Sequence, residues 1–212
     1  MTVINKKPKP QSLDAEKISI IEEMAELYPG FLDTQTADGF FAALYDLLQW
    51  QQEYLTIFGK THQVRRLIAW YGDSGLNYRY SGVDHFALEW TDKLIDLKRL
   101  VEQQTRHQFN GVLLNLYRDG DDRMGWHSDD EKSLGSSPVI ASLSLGAERR
   151  FSFRQKQDHA IKCHTNLPHG SLLVMQGNCQ QLWQHQLPVT RKFVAPRINL
   201  TFRNVKVPCA SG

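Results

Sequence analysis

The chain has 212 residues, of which 41% are apolar and 23% charged, and its formal net charge is +2. This length suits one domain with a buried core, and the composition is that of an ordinary soluble globular protein. A net charge this small gives no argument for a nucleic-acid partner. No apolar run approaches the roughly 20 residues that a membrane span needs.

The cysteines and the N-terminus narrow the class of protein further. The chain has three cysteines, Cys163, Cys179 and Cys209. Their number is odd and no two of them form a CxxC pair, so they indicate neither a disulfide framework nor a zinc motif. Residues 1–13 are polar, with two prolines and three lysines, and predict a flexible tail ahead of a single domain over 14–212. A secretory signal would have an apolar segment after its basic residues, and none follows these lysines. We expect a monomeric cytoplasmic protein that does not associate with membranes.

The first half of the chain predicts helices. Ile18 to Leu27 has mixed apolar and acidic spacing that suggests a short helix before Pro29. Apolar residues recur at helical spacing from about Thr36 to Gln51, with Thr36 as the expected N-cap. A further helix is predicted from about Thr91 to Gln104, capped by Thr91 or Asp92.

After the last predicted helix the apolar period changes from 3.6 to 2. Short, often β-branched or alternating segments are separated by Gly, Pro and Asn/Asp turns, and we predict strands over 111–117, 139–145, 150–154, 171–175 and 197–203. Helices followed by many short strands predict a mainly β, α+β fold. In such a fold the N-terminal helices pack on one sheet of an antiparallel sandwich or barrel.

Residues 124–133, MGWHSDDEKS, contain a possible pair of metal ligands. His127 and Asp129 are two apart, so in an extended segment both side chains point to the same face. His185 is the best-placed third ligand among the eight histidines. Two histidines and one carboxylate leave positions open on a metal, as non-haem Fe(II) enzymes require. An exposed charged turn would read much the same, so this triplet needs support from other residues.

The last predicted strand, RINLTFR, offers that support. Ile198, Leu200 and Phe202 lie on one face and the polar residues on the other, where Arg197 and Arg203 flank Asn199 and Thr201. This is either a strand with one face in water or a row of donors suited to a small dicarboxylate, which arginine binds through its planar fork. Asn115 and Tyr117 likewise share a face of an earlier strand.

Taken together and in order, these motifs resemble the AlkB-type Fe(II)/2-oxoglutarate dioxygenases. The similarity is greatest to the branch that repairs duplex DNA, and it covers nearly the whole chain from about residue 29. The matching stretches are IFGK (57–60), YGDSGLNYRYSG (71–82), NLY (115–117), HSDDE (127–131), ASLSLGAERRFSFR (141–154), HGSLLVM (169–175) and LPVTRKFVAPRINLTFR (187–203).

The resemblance implies a double-stranded β-helix, or jelly roll, that uses Fe(II), 2-oxoglutarate and O₂. His127, Asp129 and His185 would be the catalytic iron ligands. Arg197 would pair with the distal carboxylate of 2-oxoglutarate, assisted by Tyr117 and Asn199. The remaining expected co-substrate residues are Asn115 and Arg203, near the metal end, and Thr201 on the same strand face.

The resemblance also implies a substrate: DNA carrying N-alkylated bases such as 1-methyladenine and 3-methylcytosine, double-stranded as well as single-stranded. Oxidative demethylation would then couple 2-oxoglutarate and O₂ to succinate, CO₂ and formaldehyde. A nucleotide-recognition segment is expected over about 55–82. The substrate-binding residues would be Phe58, Gly59, Lys60, Arg66, Tyr78, Tyr80, Asp130 and Glu131.

Each substrate residue has a physical reason and a plainer interpretation. Phe58 would be an apolar wedge that fills the gap left by a flipped base, with Lys60, Arg65 and Arg66 holding neighbouring bases or phosphates. The plainer interpretation is a turn whose apolar tip is buried against the core. Tyr78 and Tyr80 would line the base pocket, although aromatic stripes are usually core.

Asp130 and Glu131 would favour a cationic methylated base over a normal one, or be solvated turn charges. Further basic residues are candidate phosphate contacts or ordinary surface charges: Arg79, Arg118, Arg149, Arg150, Arg154, Arg191 and Lys192.

Two other functions remain compatible with the residues. A 2-oxoglutarate dioxygenase acting on RNA, protein or a small molecule would keep the iron and co-substrate residues and use Phe58, Tyr80 and Asp130 structurally. A jelly-roll binding module with a structural metal would form no succinate with any substrate.

Overall fold

The computed structural model describes residues 16–57, 59–80 and 83–206, with side chains described for all of these except residues 55–57, 60, 78–80 and 83–85. The expected tail over 1–13 lies outside the described residues. The helices are α1 (Thr34–Leu47), α2 (Asp92–Thr105) and the short α3 (Cys179–Leu182), with a 3-10 turn at Lys132–Leu134.

The described strands, in chain order, are β1 (Ile18–Ile21), β2 (Ala25–Tyr28), β3 (Gln51–Ile57), β4 (Lys60–Gly72), β5 (Asn77–Tyr80), β6 (Val83–Phe86), β7 (Leu88–Glu89), β8 (Gly111–Tyr117), β9 (Met124–His127), β10 (Ile140–Gly146), β11 (Arg149–Gln155), β12 (Lys162–Leu167), β13 (Leu172–Met175), β14 (Trp183–Leu187) and β15 (Arg197–Arg203).

Two sheets, antiparallel except for the short parallel pair β4–β7, form the jelly roll. The larger has the order β1-β2-β13-β10-β15-β8-β4-β3, with the two-residue β7 paired to β4, and the smaller has the order β12-β11-β14-β9. Strands β5 and β6 form a separate hairpin. None of the described helices is long and apolar enough to cross a membrane.

Side chains alternate between the two faces of the large sheet, and each face contributes to a separate hydrophobic core. Leu143, Leu200 and Phe202 of the large sheet pack under the helices against α1 and α2 residues such as Leu44 and Leu97. The opposite face of the same sheet packs against the smaller sheet through a second cluster that includes Leu113, Phe153, Leu173 and Leu187. The expected packing of the helices on one face of a sheet is therefore confirmed.

Sequence reasoning was wrong at the start of the domain. Residues 18–27 form no helix; they form the hairpin β1–β2, with Glu23 at a φ of 56° in its turn. Strand β2 then pairs with β13, placing Ala25 and Leu27 in the core. Pairing with a distant strand decided the structure here, and local spacing could not indicate it.

The helix boundaries were predicted more closely. Helix α1 begins at Thr34 because Asp33 is the N-cap, with its carboxylate accepting from Thr36 N at 2.8 Å, so Thr36 is not the cap. Thr91, one of the two expected caps, is the N-cap of α2 and accepts from Leu94 N, so Asp92 is not the cap. Sequence reasoning missed most of β4, a long strand that pairs with β8 and so places much of the expected recognition segment in the main sheet.

Candidate active site

Three side chains meet between the two sheets. His127 ends β9, Asp129 follows two residues later, and His185 lies on β14 directly opposite His127. The His185 Nε2 atom lies 3.1 Å from His127 Nε2 and 3.5 Å from Asp129 Oδ2. One ligand atom from each residue lies within 4.8 Å of the other two, so the three can hold one metal ion. The predicted convergence is confirmed.

The protonation states suit metal binding. His127 Nδ1 lies 2.9 Å from the Gly125 carbonyl, which favours a proton on Nδ1 and leaves the Nε2 lone pair facing the other ligands. Burial and the nearby His185 lower the pKa of His127 to about 4, so its imidazole is neutral. Burial alone would raise the pKa of Asp129, but Arg203 and His185 outweigh it, so the pKa falls and the carboxylate stays ionised.

A second set of contacts orients the segment that carries these ligands. The Asp129 backbone N–H donates to Gln180 Oε1 at 2.9 Å, and the Ser128 hydroxyl donates to the Trp183 carbonyl at 3.0 Å. Both partners come from α3 and the start of β14, so they connect the His127–Asp129 segment to the strand of His185. Sequence reasoning missed Gln180, because nothing in its local sequence distinguishes it from neighbouring glutamines.

The polar face of β15 is buried in the same pocket. Arg197, Asn199, Thr201 and Arg203 all line it, and each is at most 8% exposed. The interpretation of RINLTFR as a strand with one face in water is therefore wrong. Asn115 and Tyr117 of β8 also line the pocket, as predicted, because β8 pairs with β15 in register.

A hydrogen-bond chain orders these polar groups. Arg197 donates to Ser144 Oγ and to Asn199 Oδ1, both at 2.8 Å. Asn199 in turn donates to Thr201 Oγ1 at 2.8 Å and accepts from Ser142 Oγ at 2.9 Å. The two serines of β10 were not predicted; their alternation with Ala141 and Leu143 was the available signal.

Arg197 carries a buried charge that no described carboxylate neutralises. Its guanidinium lies 5.3 Å from the centre of the Tyr117 ring, and its Nε has no acceptor among the described residues. Burial lowers the pKa of Arg197 to about 10, so it remains protonated at neutral pH. A buried cation of this kind fits a bound carboxylate, which it can contact through two parallel hydrogen bonds.

The second arginine of β15 has a different environment. Arg203 donates to Asp129 Oδ1, so it contacts a metal ligand directly. The pocket therefore has a metal end, with Arg203 and the His127, Asp129 and His185 ligands, and a cationic end at Arg197. This layout fits Fe(II) at one end and the far carboxylate of 2-oxoglutarate at the other.

Arg66 occupies a position that differs from the one expected. Its side chain is buried, and it donates to Asn115 Oδ1 at 2.7 Å and to Glu53 Oε2 at 2.8 Å. A surface phosphate cannot reach a guanidinium held there, so the predicted role as a phosphate contact is corrected. The structure places Arg66 beside the co-substrate pocket, where it orients Asn115.

Several expected phosphate contacts are also engaged within the protein. Arg65 pairs with Asp119 and Asp122, and Arg118 pairs with Asp122 as well. Arg149 is buried and donates to three backbone carbonyls, those of Asp119, Asp122 and Pro188. All three arginines stabilise the segment between β8 and β9. Arg149 is too deeply buried to contact a phosphate, whereas Arg65 and Arg118 are about half exposed, so their phosphate contacts stay predictions.

The other substrate residues divide into described and undescribed ones. Phe58 and the side chains of Lys60, Tyr78 and Tyr80 lie outside the described residues, so their roles stay predictions. Gly59 is exposed with a φ of 74° beside the pair Ile57 and Lys60, which confirms a tight hairpin there. Asp130 is exposed and pairs with Lys156 at 2.8 Å, and Glu131 has a buried Oε2 with no described donor.

Comparison with known proteins agrees with this geometry. The profile of the 2OG-Fe(II) oxygenase superfamily matches residues 24–203. Human alpha-ketoglutarate-dependent dioxygenase alkB homolog 3 is 39% identical over 221 residues, covering 96% of this chain and 76% of the relative. Human DNA oxidative demethylase ALKBH2 is 40% identical over 176 residues, covering 76% of this chain and 67% of the relative. The solved structure of OsALKBH1 superposes with a TM-score of 0.65 at 14% identity, covering 88% of this chain and 100% of that one, and supports the fold alone.

Proposed function

Because this chain belongs to the 2OG-Fe(II) oxygenase superfamily and is an AlkB-type oxidative demethylase, we propose that its substrate is DNA alkylated on base nitrogens. The bases would be 1-methyladenine and 3-methylcytosine, whose methyl groups leave as formaldehyde. The enzyme uses Fe(II), 2-oxoglutarate and O₂ as cofactor and co-substrates. The relative named DNA oxidative demethylase supports DNA as the polymer.

One observation carries the chemical part of this proposal. Three protein ligands converge at one end of a pocket whose other end holds Arg197 without a described carboxylate partner. Three ligands leave metal positions open for a chelating co-substrate and for O₂, and Arg197 provides the counter-charge that a dicarboxylate needs. A structural metal site would be closed by a fourth protein ligand.

The residues of the pocket position and shield the reaction. When bound, Fe(II) and 2-oxoglutarate supply the oxidising chemistry. Arg197, with Tyr117 beneath it and Asn199 beside it, would hold the far carboxylate and so set the angle of the co-substrate. Arg203 keeps Asp129 ionised and oriented, and Phe151 stacks on the ring of His185 at 5.3 Å, which excludes water from one side of the ligands.

Two acidic residues that follow Asp129 in the sequence would favour a cationic base. Adenine and cytosine methylated at these ring nitrogens carry a positive charge, so carboxylates discriminate them from normal bases. Asp130 and Glu131 directly follow the ligand Asp129. The ion pair of Asp130 with Lys156 is half-exposed and is worth roughly 0–1 kcal/mol, so a charged base can replace the lysine.

A demethylation assay tests the proposal directly. The purified enzyme with Fe(II), 2-oxoglutarate and O₂ should release formaldehyde from single- and double-stranded oligonucleotides that contain 1-methyladenine or 3-methylcytosine. Methylated RNA of the same sequence belongs in the same experiment. Succinate formation without demethylation of any DNA would overturn the proposal and favour an RNA, protein or small-molecule substrate.

A further inference from the structure

A basic groove runs over the outer face of the smaller sheet, away from the catalytic pocket. Its volume is about 760 Å³, and its lining comes from β9, β11, β12, β14 and the segment after β14. The polar and charged residues that define it are Arg150, Ser152, Lys162, His164, Asn166, Gln186 and Lys192, with Trp126 at one side. We refer to these residues as the outer groove.

Strand alternation explains why polar residues collect there. Phe151 and Phe153 of β11 point inward into the core between the sheets, so Arg150 and Ser152 point outward. In register, Arg150 lies opposite Asn166 of β12, and Ser152 lies opposite His164. The outer face of this sheet is therefore a continuous polar surface.

Charge is strongly unbalanced in the outer groove. Three exposed cationic side chains line it, those of Arg150, Lys162 and Lys192, and Glu148 is the one carboxylate among its described lining residues. The whole chain has a formal net charge of only +2, so positive charge is concentrated here. In the described part of the protein, Arg150, Lys162 and Lys192 form no ion pair, unlike Arg65 and Arg118.

The outer groove and the catalytic pocket share two strands. On β9, His127 points towards the metal ligands while its neighbour Trp126 lines the groove. On β14, His185 lines the pocket while its neighbour Gln186 lines the groove. The pocket and the groove therefore lie on opposite faces of the same two neighbouring strands, of which β9 is the edge strand of the smaller sheet.

We propose that the outer groove binds the phosphate backbone of the substrate polynucleotide, beyond the nucleotide whose base enters the pocket. This inference rests on the proposed nucleic-acid substrate and adds a second binding surface to it. Unpaired arginine and lysine beside amide and hydroxyl donors are the groups that contact phosphates without reading sequence. An open groove that faces solvent suits an extended strand better than it suits a small anion.

Binding of a polynucleotide can be distinguished experimentally from binding of an acidic protein segment. A polynucleotide presents regularly spaced phosphates and releases counterions when it binds, so its affinity depends steeply on salt. Trp126 adds an aromatic ring at the edge nearest the pocket, with the Arg154 guanidinium 4.4 Å from the ring centre. Such an arginine–aromatic pair is a common platform for single-stranded nucleic acid.

The test compares the double variant Arg150→Gln/Lys162→Gln with the wild-type enzyme. The probe is an unmethylated single-stranded DNA of roughly 20 nucleotides, longer than the 4–16 nucleotides that one single-strand site covers. Binding is measured across a range of salt concentrations. Each lost phosphate contact should weaken binding and reduce the slope of log affinity against log salt by about 0.7. Arg99→Gln on α2, an exposed residue on the other side of the large sheet, is the matched control and should keep the wild-type slope.

A turnover assay separates failure of this inference from failure of the proposed function. The double variant should demethylate a methylated trinucleotide at the wild-type rate and show a raised KM for the long strand only. Equal slopes and equal KM values for variant and wild type would overturn the inference. So would loss of binding to polyglutamate in the variant without any loss of binding to DNA. Absence of turnover by the wild-type enzyme would instead refute the proposed function.

Discussion

The side-chain amide of Gln180 accepts a hydrogen bond of 2.9 Å from the backbone N–H of Asp129. Both residues are almost fully buried, at 1% and 2% exposed. The contact joins a short helix that carries no ligand to the segment that carries two. Gln180 is thus a positioning residue for the carboxylate of Asp129, although it does not itself line the pocket.

Replacing Gln180 by Leu should lower Fe(II) affinity by roughly 10- to 100-fold, the usual effect of removing a group that orients a metal ligand. Saturating Fe(II) should restore most of kcat, because the ligands themselves remain. Anaerobic Fe(II) titration measures the affinity. Gln181→Leu, the same change at the exposed neighbouring position, should leave the affinity at the wild-type value. A loss of folding stability in Gln180→Leu with unchanged Fe(II) affinity would contradict the positioning role.

Replacing Asp129 by Ala should abolish both Fe(II) binding and turnover. The change also leaves the Arg203 guanidinium buried without its carboxylate, which should destabilise the fold by about 3–5 kcal/mol. Chemical unfolding and Fe(II) titration measure the two effects separately. Asp130→Ala, one residue further on, should keep iron binding. Tight iron binding with turnover in Asp129→Ala would refute the assignment of this ligand.

Replacing Arg197 by Gln should raise the KM for 2-oxoglutarate by about 10- to 100-fold, since a charge-assisted hydrogen bond contributes roughly 1.5–3 kcal/mol. Lysine at this position should restore only part of the affinity, because it lacks the planar fork. Fe(II) affinity should change little, as Arg197 touches none of the three ligands. Steady-state kinetics with varied 2-oxoglutarate decides the matter; an increase confined to the oligonucleotide KM would argue against this role.

Replacing Asp122 by Asn should destabilise the protein by about 1–3 kcal/mol at neutral pH, because Arg118 and Arg65 lose a charged acceptor. Burial alone would raise the pKa of Asp122, but the hydrogen bonds from Arg118 outweigh it and the pKa is lowered. In the unfolded chain an aspartate has a pKa of about 3.9, and above that pH the Asp122 carboxylate contributes its full stabilisation to the fold. This contribution is lost as the pH falls through the lower pKa that Asp122 has in the folded protein. Urea unfolding should show the difference between wild type and Asp122→Asn shrinking below about pH 4. A constant difference at all pH values would contradict this account.

Replacing Phe58 by Ala should weaken demethylation of double-stranded DNA more than of single strands. The hairpin tip between β3 and β4 would lose the apolar group that fills the gap in a duplex, whereas a single strand leaves no such gap. Phe58→Leu retains an apolar group and should keep most of the duplex activity. Formaldehyde release from matched single- and double-stranded substrates is the measurement, and equal losses on both would rule out the wedge.

The sequence predicted well wherever a local period was clear. Strand β15 was predicted to the residue, because Ile198, Leu200 and Phe202 alternate strictly with polar residues. For the N-cap of α2 the sequence left Thr91 and Asp92 open, and the structure selects Thr91. Segment 18–27 was predicted wrongly, since its strands depend on pairing with β13, which lies far away along the chain.

Residue type and spacing made His127, Asp129 and His185 candidate metal ligands, and the resemblance to AlkB-type dioxygenases supplied the expected roles of the co-substrate residues. His127, Asp129 and Arg197 could be named from their motifs and from the order of those motifs. Burial, by contrast, was decided only by the tertiary structure. Arg66 is held inside against Glu53 and Asn115, whereas Arg150 is exposed on the outer face and forms no ion pair with a described residue. The local sequence does not distinguish these two arginines, because it does not show which distant residues will pack against them. Only the packing of the two sheets determines which charges meet a partner within the protein and which face solvent.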